Sequence, residues 1–445
     1  MKYLPKIDSE IARLIKSEEQ RQETTLMMIP SENVASYAVE EAVGSAFGNK
    51  YSEGYPKKRY YQGQEFADQL ESLVIERAKK LFKVEHVNVQ ALSGSPANFA
   101  VYTALLKPGA TIMGLSLNSG GHLTHGARFN ASSVYFNAVN YDVKPDGYID
   151  YEALMKQAKK VRPDIIIAGT TAYARILDWS KFAEIADSIG ALLLADISHI
   201  SGLVTAGVYP SPVPYVHVVT TTTHKTLRGP RGALIMVTKK GLKKDPDMAS
   251  RIDKAIIPGI QGGPHLNTIA GIGVALKEAS SKKFVTYSKQ IQKNAKVLAT
   301  ELTKYDFSLV TGGTDSHLVL IDCRNKNLLG NTAAEALEAA NIVLNRNSIP
   351  FDPNPPFFPS GIRLGTPGIT SRGMKEPEMK KIAGYINEAI TAVAKTKIRL
   401  NIANEQERKR DVRQDLVNQT SELKDIKKKV ELLCRRFPLN KVYPV

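Results

Sequence analysis

Between Ala110 and Lys240 short β-prone, mostly apolar runs alternate with stretches of helical spacing. The strands are expected at Thr111 to Leu117, Val134 to Phe136, Asp164 to Ala168, Leu192 to Ala195, Val216 to Thr220 and Ala233 to Val237. Helices fall between them, as at Tyr151 to Lys160 and Ser180 to Ser188. That order specifies an α/β domain with a mostly parallel sheet flanked by helices. No internal repeat or low-complexity linker interrupts it.

One of these runs ends abruptly. Val218-Val-Thr-Thr-Thr-Thr-His-Lys225 passes into Thr-Leu-Arg-Gly-Pro-Arg-Gly232, a basic turn broken by glycine and proline. Lys225 therefore sits just past a strand end, among small hydroxyls. Desolvation and nearby cations lower a lysine pKa, and a neutral amine can form a Schiff base with a carbonyl. Taken alone, Lys225, Arg228 and Arg231 read equally as ordinary loop charges.

Several other loops carry unusual chemistry. Asn49 to Gly63 crowds Tyr51, Tyr55, Tyr60 and Tyr61 around Glu53 and a basic run, which suits a functional loop or an interface. Ser93-Gly94-Ser95-Pro96 opens a helix, as a phosphate cradle or as a plain cap. His122 and His125 lie among glycines past a strand; no third ligand accompanies them, so stacking on a planar ligand is favoured over metal. Asp196 ends a hydrophobic strand three residues before His199, and a buried carboxylate there needs an arginine or a protonated ring nitrogen as partner.

Beyond the sheet, helices from His265 to Ser280 and from Val285 to Lys304 lead to a smaller α+β region. It is expected to hold strands at Ser308 to Val310 and His317 to Asp322, a helix at Thr332 to Ala340 and a loop from Asn345 to Pro353. A short strand carrying Arg363 follows, then helices from Glu376 to Lys395 and from about Ala403 to Cys434. The expected division is an N-terminal arm and interface segment over 1–85, a large domain over 86–280 and a C-terminal domain over 281–445.

With 445 residues the chain is long enough for two or three domains. Its two cysteines form no disulfide framework, and no signal-peptide or membrane-spanning run is present, so a cytoplasmic protein is expected. The net charge of +16 invites an anionic partner, but basic residues are spread along the chain with acids among them. Nucleic acid is therefore not the expected partner.

Together these motifs resemble the serine hydroxymethyltransferase family, over Ile7 to Pro438. The resemblance rests on Ser31-Glu-Asn33, Glu53-Gly-Tyr-Pro56, Lys58-Arg-Tyr-Tyr61, Ser93-Gly-Ser95, Gly120 to Gly126, Ala195-Asp196, Thr220 to Arg231, Gln261-Gly-Gly-Pro264 and Gly361-Ile-Arg363. It implies the aspartate-aminotransferase type of fold (fold type I), with pyridoxal 5'-phosphate on Lys225. Asp196 would face the ring nitrogen, His122 the ring face and His199 the ring hydroxyl, with Thr171, in place of the family's usual serine, and His224 also at the cofactor. Ser93, Gly94 and Ser95 would take the phosphate, joined by Tyr51, Gly262 and Gly263 of a neighbouring subunit.

For substrate, the same resemblance implies Arg363 and Ser31 at the carboxylate, and Glu53 with Tyr61 at the serine hydroxyl. Leu117, Leu123, Asn345 and Asn347 would line a pterin pocket. The partners implied are serine or glycine, a reduced pterin, and a second copy of the chain in a homodimer with shared sites, or a tetramer. The wording around Met28 to Val34 and Phe351-Asp-Pro353 is similar to archaeal members, some of which use a modified pterin in place of tetrahydrofolate. Two other activities compete: a pterin-independent aldolase of β-hydroxy amino acids, and a non-catalytic basic RNA-binding paralogue. The latter predicts decay of Lys225, Asp196, Arg363 and Glu53, all of which are present.

Overall fold

The strands Asn137–Tyr141, Thr111–Leu115, Ile165–Gly169, Leu192–Asp196 and Val218–Thr222 lie side by side in parallel. Order here is that of a computed structural model, which describes residues 3–403, 407 and 409–439. Ala233–Val237 adds antiparallel to Val218–Thr222, and His86–Asn88 closes that edge, making seven strands among the described residues.

Period-two alternation explains why these runs are apolar throughout. Ile166, Leu193 and Val219 face one core, with Trp179 and Phe182 of the helix Trp179–Ile189. Ile165, Ile167, Leu194 and Val218 face the other, with Tyr102 and Ile252. Both sheet faces are covered, so the inner strands are buried at nearly every position. Each large side chain removed from water contributes about 1.5–3 kcal/mol. The covering helices have defined ends: Asp178 accepts from Ser180 and Lys181 at the start of Trp179–Ile189, and Gly190, at φ 75°, stops it.

A third core lies around a four-stranded antiparallel sheet, ordered Ser308–Leu309, Leu318–Asp322, Gly361–Gly365, Asn345–Asn347. The helix Lys282–Lys304 belongs to two cores, burying Phe284 and Ile291 in the first and Leu298 and Leu302 in the third. The N-terminal segment is stitched into this region. Leu26–Met27 pairs in parallel with Ile342–Val343, and Arg372 donates to the carbonyls of Gln22, Glu23, Thr25, Cys434 and Phe437. Among the described residues no helix is long and apolar enough to cross a membrane.

Three expectations are corrected. Val134 to Phe136 is not a strand: Asn130 caps a short helix, Ala131–Tyr135, and the sheet strand follows at Asn137–Tyr141. That strand is a sheet edge and largely unburied, so it lacks the apolar signature of its neighbours. Asn345–Asn347 is a strand rather than a loop, again a polar edge, paired with Gly361–Gly365. The terminal helix is two helices, Arg410–Asn418 and Glu422–Arg436. Between them the buried Thr420 turns its hydroxyl back onto the Leu416 carbonyl at 2.9 Å, a side-chain bond that competes with helix continuation. Residues 404–406 and 408 of the expected helix lie outside the described residues. Smaller shifts affect ends only; the helix Gly94–Leu105 starts two residues before Pro96.

Candidate active site

The parallel strands all end on one side of the sheet. Leu115, Gly169, Asp196 and Thr222 are their last residues, and the loops beyond them enclose a cavity of about 430 Å³. A crevice outside the carboxyl ends of parallel strands is where such sheets bind ligands.

Lys225 reaches this cavity from the turn after Val218–Thr222. Its Nζ donates to Thr222 Oγ1 at 2.8 Å. The turn is tightly tied: Thr223 Oγ1 donates to the Pro230 carbonyl at 2.6 Å, and Gly229 N to the Thr223 carbonyl at 2.7 Å. A Cβ on Gly229 would meet that carbonyl at 2.8 Å, so only glycine fits. Burial, with the cations Arg231 and Arg363 nearby, pulls the amine down to about 8 against the attraction of Asp196.

Asp196, on the cavity wall, pairs with no arginine among the described residues. Its Oδ2 accepts from Asn98 Nδ2 at 2.9 Å and faces His125 Nε2 at 3.2 Å, while Oδ1 accepts from Ser198 Oγ at 2.6 Å. Burial alone raises a carboxyl pKa; the contacts from His125 and Asn98 outweigh it and hold Asp196 well below the usual range. His125 and Asn98 are partners of Asp196 that sequence reasoning missed. His125 was visible only as half of a rejected metal pair.

His122 lies on the cavity wall with Nδ1 2.7 Å from Thr124 Oγ1, and burial lowers its pKa to about 4, so it is a neutral ring. The glycines around it are needed, since a Cβ on Gly121 would strike the Leu115 carbonyl. Thr171 also faces the cavity; its hydroxyl donates to the Gly120 and Gly121 carbonyls at 3.2 and 3.1 Å. His199 is buried against His317, rings stacked with centroids 5.5 Å apart. His317 is a third residue not foreseen. His224, on the same wall, keeps a buried Nδ1 without a partner.

At Ser93 the plain-cap alternative fails. Ser93 makes no side-chain capping bond to the helix Gly94–Leu105. A Cβ on Gly94 would lie 2.8 Å from Thr222 Cγ2, so glycine lets the helix end approach the strand that carries Lys225. Gly94, the first residue of this helix, lines the cavity, whereas Ser93 and Ser95 stand beside it and do not.

Arg363, from Gly361–Gly365, enters opposite. Its Nη1 donates to the Thr171 carbonyl and its Nε to Asn345 Oδ1 at 3.1 Å. Burial lowers it to about 10, and no carboxylate pairs with it among the described residues. A buried guanidinium on a cavity wall without an acid partner is a site for an anion. Ser31, Leu117, Leu123 and Asn347 share the wall; Asn345 stands behind it, against Arg363.

Five expected residues gather elsewhere. Tyr61 OH donates to Glu53 Oε2 at 2.6 Å, and the Tyr51 and Tyr61 rings meet edge to face at 5.7 Å. Gly262 and Gly263 lie against the same group, with the Tyr51 ring 3.2 Å from a Cβ placed on Gly263. None of the five lines the Lys225 cavity of its own chain. Tyr51 and Tyr61 are 60% and 43% exposed, so the cluster is presented outward.

Comparison with known proteins agrees with this geometry. The family model described as serine hydroxymethyltransferase matches residues 4–386. The serine hydroxymethyltransferase of Desulfotalea psychrophila is 54% identical over 405 residues, covering 91% of this chain and 94% of the relative. That of Acidothermus cellulolyticus is 54% identical over 389 residues, covering 87% and 90%. A cavity built around Lys225, Asp196 and Arg363 thus stands in a chain matched along most of its length, and the chain belongs to the serine hydroxymethyltransferase family.

Proposed function

We propose that this chain interconverts serine and glycine, passing the hydroxymethyl carbon of serine to a reduced pterin, either tetrahydrofolate or a modified pterin. The observation that carries the reading is one cavity holding a half-buried amine of lowered pKa, a buried carboxylate and a guanidinium with no acid partner among the described residues. These groups fit pyridoxal 5'-phosphate and an amino acid. Lys225 Nζ would be the attachment point, Asp196 would face the ring nitrogen and His122 the ring. Gly94, Ser95 and Ser93 would hold the phosphate, and His199, Thr171 and His224 the remainder. His224 Nδ1, buried and unsatisfied, is a polar atom awaiting such a partner.

Bound there, the cofactor supplies an electron sink for cleavage of the serine Cα–Cβ bond. The chain supplies the rest. Arg363 takes the substrate carboxylate through its guanidinium, with Ser31 beside it. Glu53, hydrogen-bonded to Tyr61, takes the proton of the serine hydroxyl. Leu117, Leu123 and Asn347 give the pterin an apolar edge and an amide, with Asn345 supporting Arg363.

Because Glu53, Tyr61, Tyr51, Gly262 and Gly263 form one outward cluster away from their own Lys225, we infer that they complete the site of a second copy. The working unit is then a homodimer with two shared sites. A cytoplasmic setting suits two free, buried cysteines.

The test is direct. Protein loaded with pyridoxal phosphate is reduced with borohydride and digested, and the label is mapped. It is expected on Lys225, and serine cleavage is expected to depend on an added pterin. A label on another lysine overturns the assignment of Lys225; cleavage of serine indifferent to pterin favours the aldolase activity instead.

A further inference from the structure

The loop that carries Glu53 has no regular structure beyond two short paired segments, Gly54–Tyr55 and Lys58–Arg59. It is nonetheless held by one side chain. Arg59 Nη1 donates to the carbonyls of Ser52 and Gly54, both at 2.8 Å. Those two carbonyls flank Glu53. The carbonyl of Glu53 itself accepts from Tyr60 N at 3.2 Å. Both peptide planes meeting at the Glu53 Cα are therefore fixed, and with them the direction of its side chain.

The guanidinium is anchored in turn to the helix Glu65–Phe82. Its Nε donates to Asp68 Oδ1 at 2.9 Å and its Nη2 to Glu71 Oε2 at 2.6 Å. The side chains of Arg59 and Glu71 are 3% and 1% exposed. Gln90 completes the clamp, donating to Glu71 Oε1 at 2.8 Å and to the Gly54 carbonyl at 2.9 Å. Gln261, next to Gly262, donates to the Gln90 carbonyl at 2.8 Å. The two elements of the outward cluster are thus joined through Gln90. Gly54, at φ 92°, has the Lys58 carbonyl where a Cβ would stand, so the hairpin can close only on glycine.

Buried ion pairs add little net stability over apolar packing of the same volume; a fixed direction is what they add. We propose that Arg59, seated on Glu71, is a positioning residue for the reaction: it aims the Glu53 carboxylate at the partner copy's substrate. This rests on the shared-site reading above. It predicts a lesion with a particular address. Arg59→Met damages the Glu53 module of its own chain and leaves that chain's Lys225 cavity whole.

Three homodimers test it: Arg59→Met, Glu53→Gln and Lys225→Gln. Each is expected to lose serine cleavage, while Arg59→Met keeps glycine affinity within about twofold of wild type, a loss confined to turnover. Each pair is unfolded together and refolded. Glu53→Gln with Lys225→Gln is the control, and its recovery upholds the shared site. Arg59→Met with Lys225→Gln is expected to recover to the same level, and Arg59→Met with Glu53→Gln not at all.

A second readout uses the cofactor-free chain. Amide exchange over residues 51–61 is expected to rise roughly tenfold or more in Arg59→Met, with Leu192–Asp196 unchanged. If Arg59→Met fails to fold, Arg59→Lys takes its place in every arm, since an ammonium cannot span all four acceptors. Should the control recover while the Arg59 variant with Lys225→Gln does not, or should the variant turn over serine like wild type, the positioning role is wrong. Should the control itself stay inactive, the shared site is wrong, and the exchange measurement alone decides whether Arg59 orders the loop.

Discussion

His125 Nε2 stands 3.2 Å from Asp196 Oδ2, and both groups are buried. The imidazole thus does for the carboxylate what an arginine or water does at an ordinary strand end. His125→Ala leaves Asp196 with Asn98 and Ser198 alone. Losing one partner of a buried acceptor costs roughly 1–3 kcal/mol. Urea denaturation of the cofactor-free protein is expected to show that loss, and dialysis to show faster release of pyridoxal phosphate. An unchanged midpoint means His125 is a bystander.

The cavity carries a stability cost at Lys225. Its amine falls from 10.5 to about 8 on folding. Between these values the unfolded chain binds a proton that the fold does not, so stability rises with pH across that window. Below it the burden is full, on the order of 3 kcal/mol at 1.36 kcal/mol per pKa unit. Lys225→Met is therefore expected to raise the stability of the cofactor-free protein at pH 7 while abolishing turnover. Thermal unfolding at pH 7 and pH 10.5 checks both the gain and its shrinkage at high pH.

Arg363→Ala removes a cation that faces the cavity and has no acid partner among the described residues. Charge-assisted hydrogen bonds contribute roughly 1.5–3 kcal/mol, which corresponds to a ten- to hundredfold loss in glycine affinity. Loading of pyridoxal phosphate is expected to survive, since Lys225 and Asp196 are untouched. Glycine titration of the loaded variant measures it; wild-type affinity places the carboxylate elsewhere.

The separation of Glu53 from its own Lys225 cavity makes a prediction about mixing. Glu53→Gln and Lys225→Gln homodimers are each expected to be nearly inactive. Refolded together, they form heterodimers in which one site holds both lesions and the other none. Activity then returns to roughly a quarter of wild type if pairing is random. No recovery means that Glu53 serves its own chain.

Much of this was legible in the sequence because it is written in local pattern. Leu192–Asp196 and Ala233–Val237 are covered on both faces and read as apolar runs, the first of them ending at Asp196. Lys225 stands out differently, just past the β-branched strand Val218–Thr222. What escaped notice depends on partners far along the chain. Asn98 and His125 meet Asp196 across 98 and 71 residues, and no periodicity encodes that. Arg59 looked like one charge of a basic run until its four acceptors were in place. The polar edge strands Asn137–Tyr141 and Asn345–Asn347 were misread for the opposite reason: exposure removed the apolar signal that marks a strand.

The seam between Leu26–Met27 and Ile342–Val343 has a consequence for synthesis. Ser31 leaves the ribosome early, but the strand that fixes its neighbourhood and the Arg372 side chain that grips the preceding turn emerge near the end. Vectorial folding can build the parallel sheet from the nascent chain, yet the part of the cavity wall that Ser31 supplies must wait for the last quarter of translation. Until then the segment around Ser31 is an unpaired strand with exposed apolar residues, the kind of surface that chaperones hold.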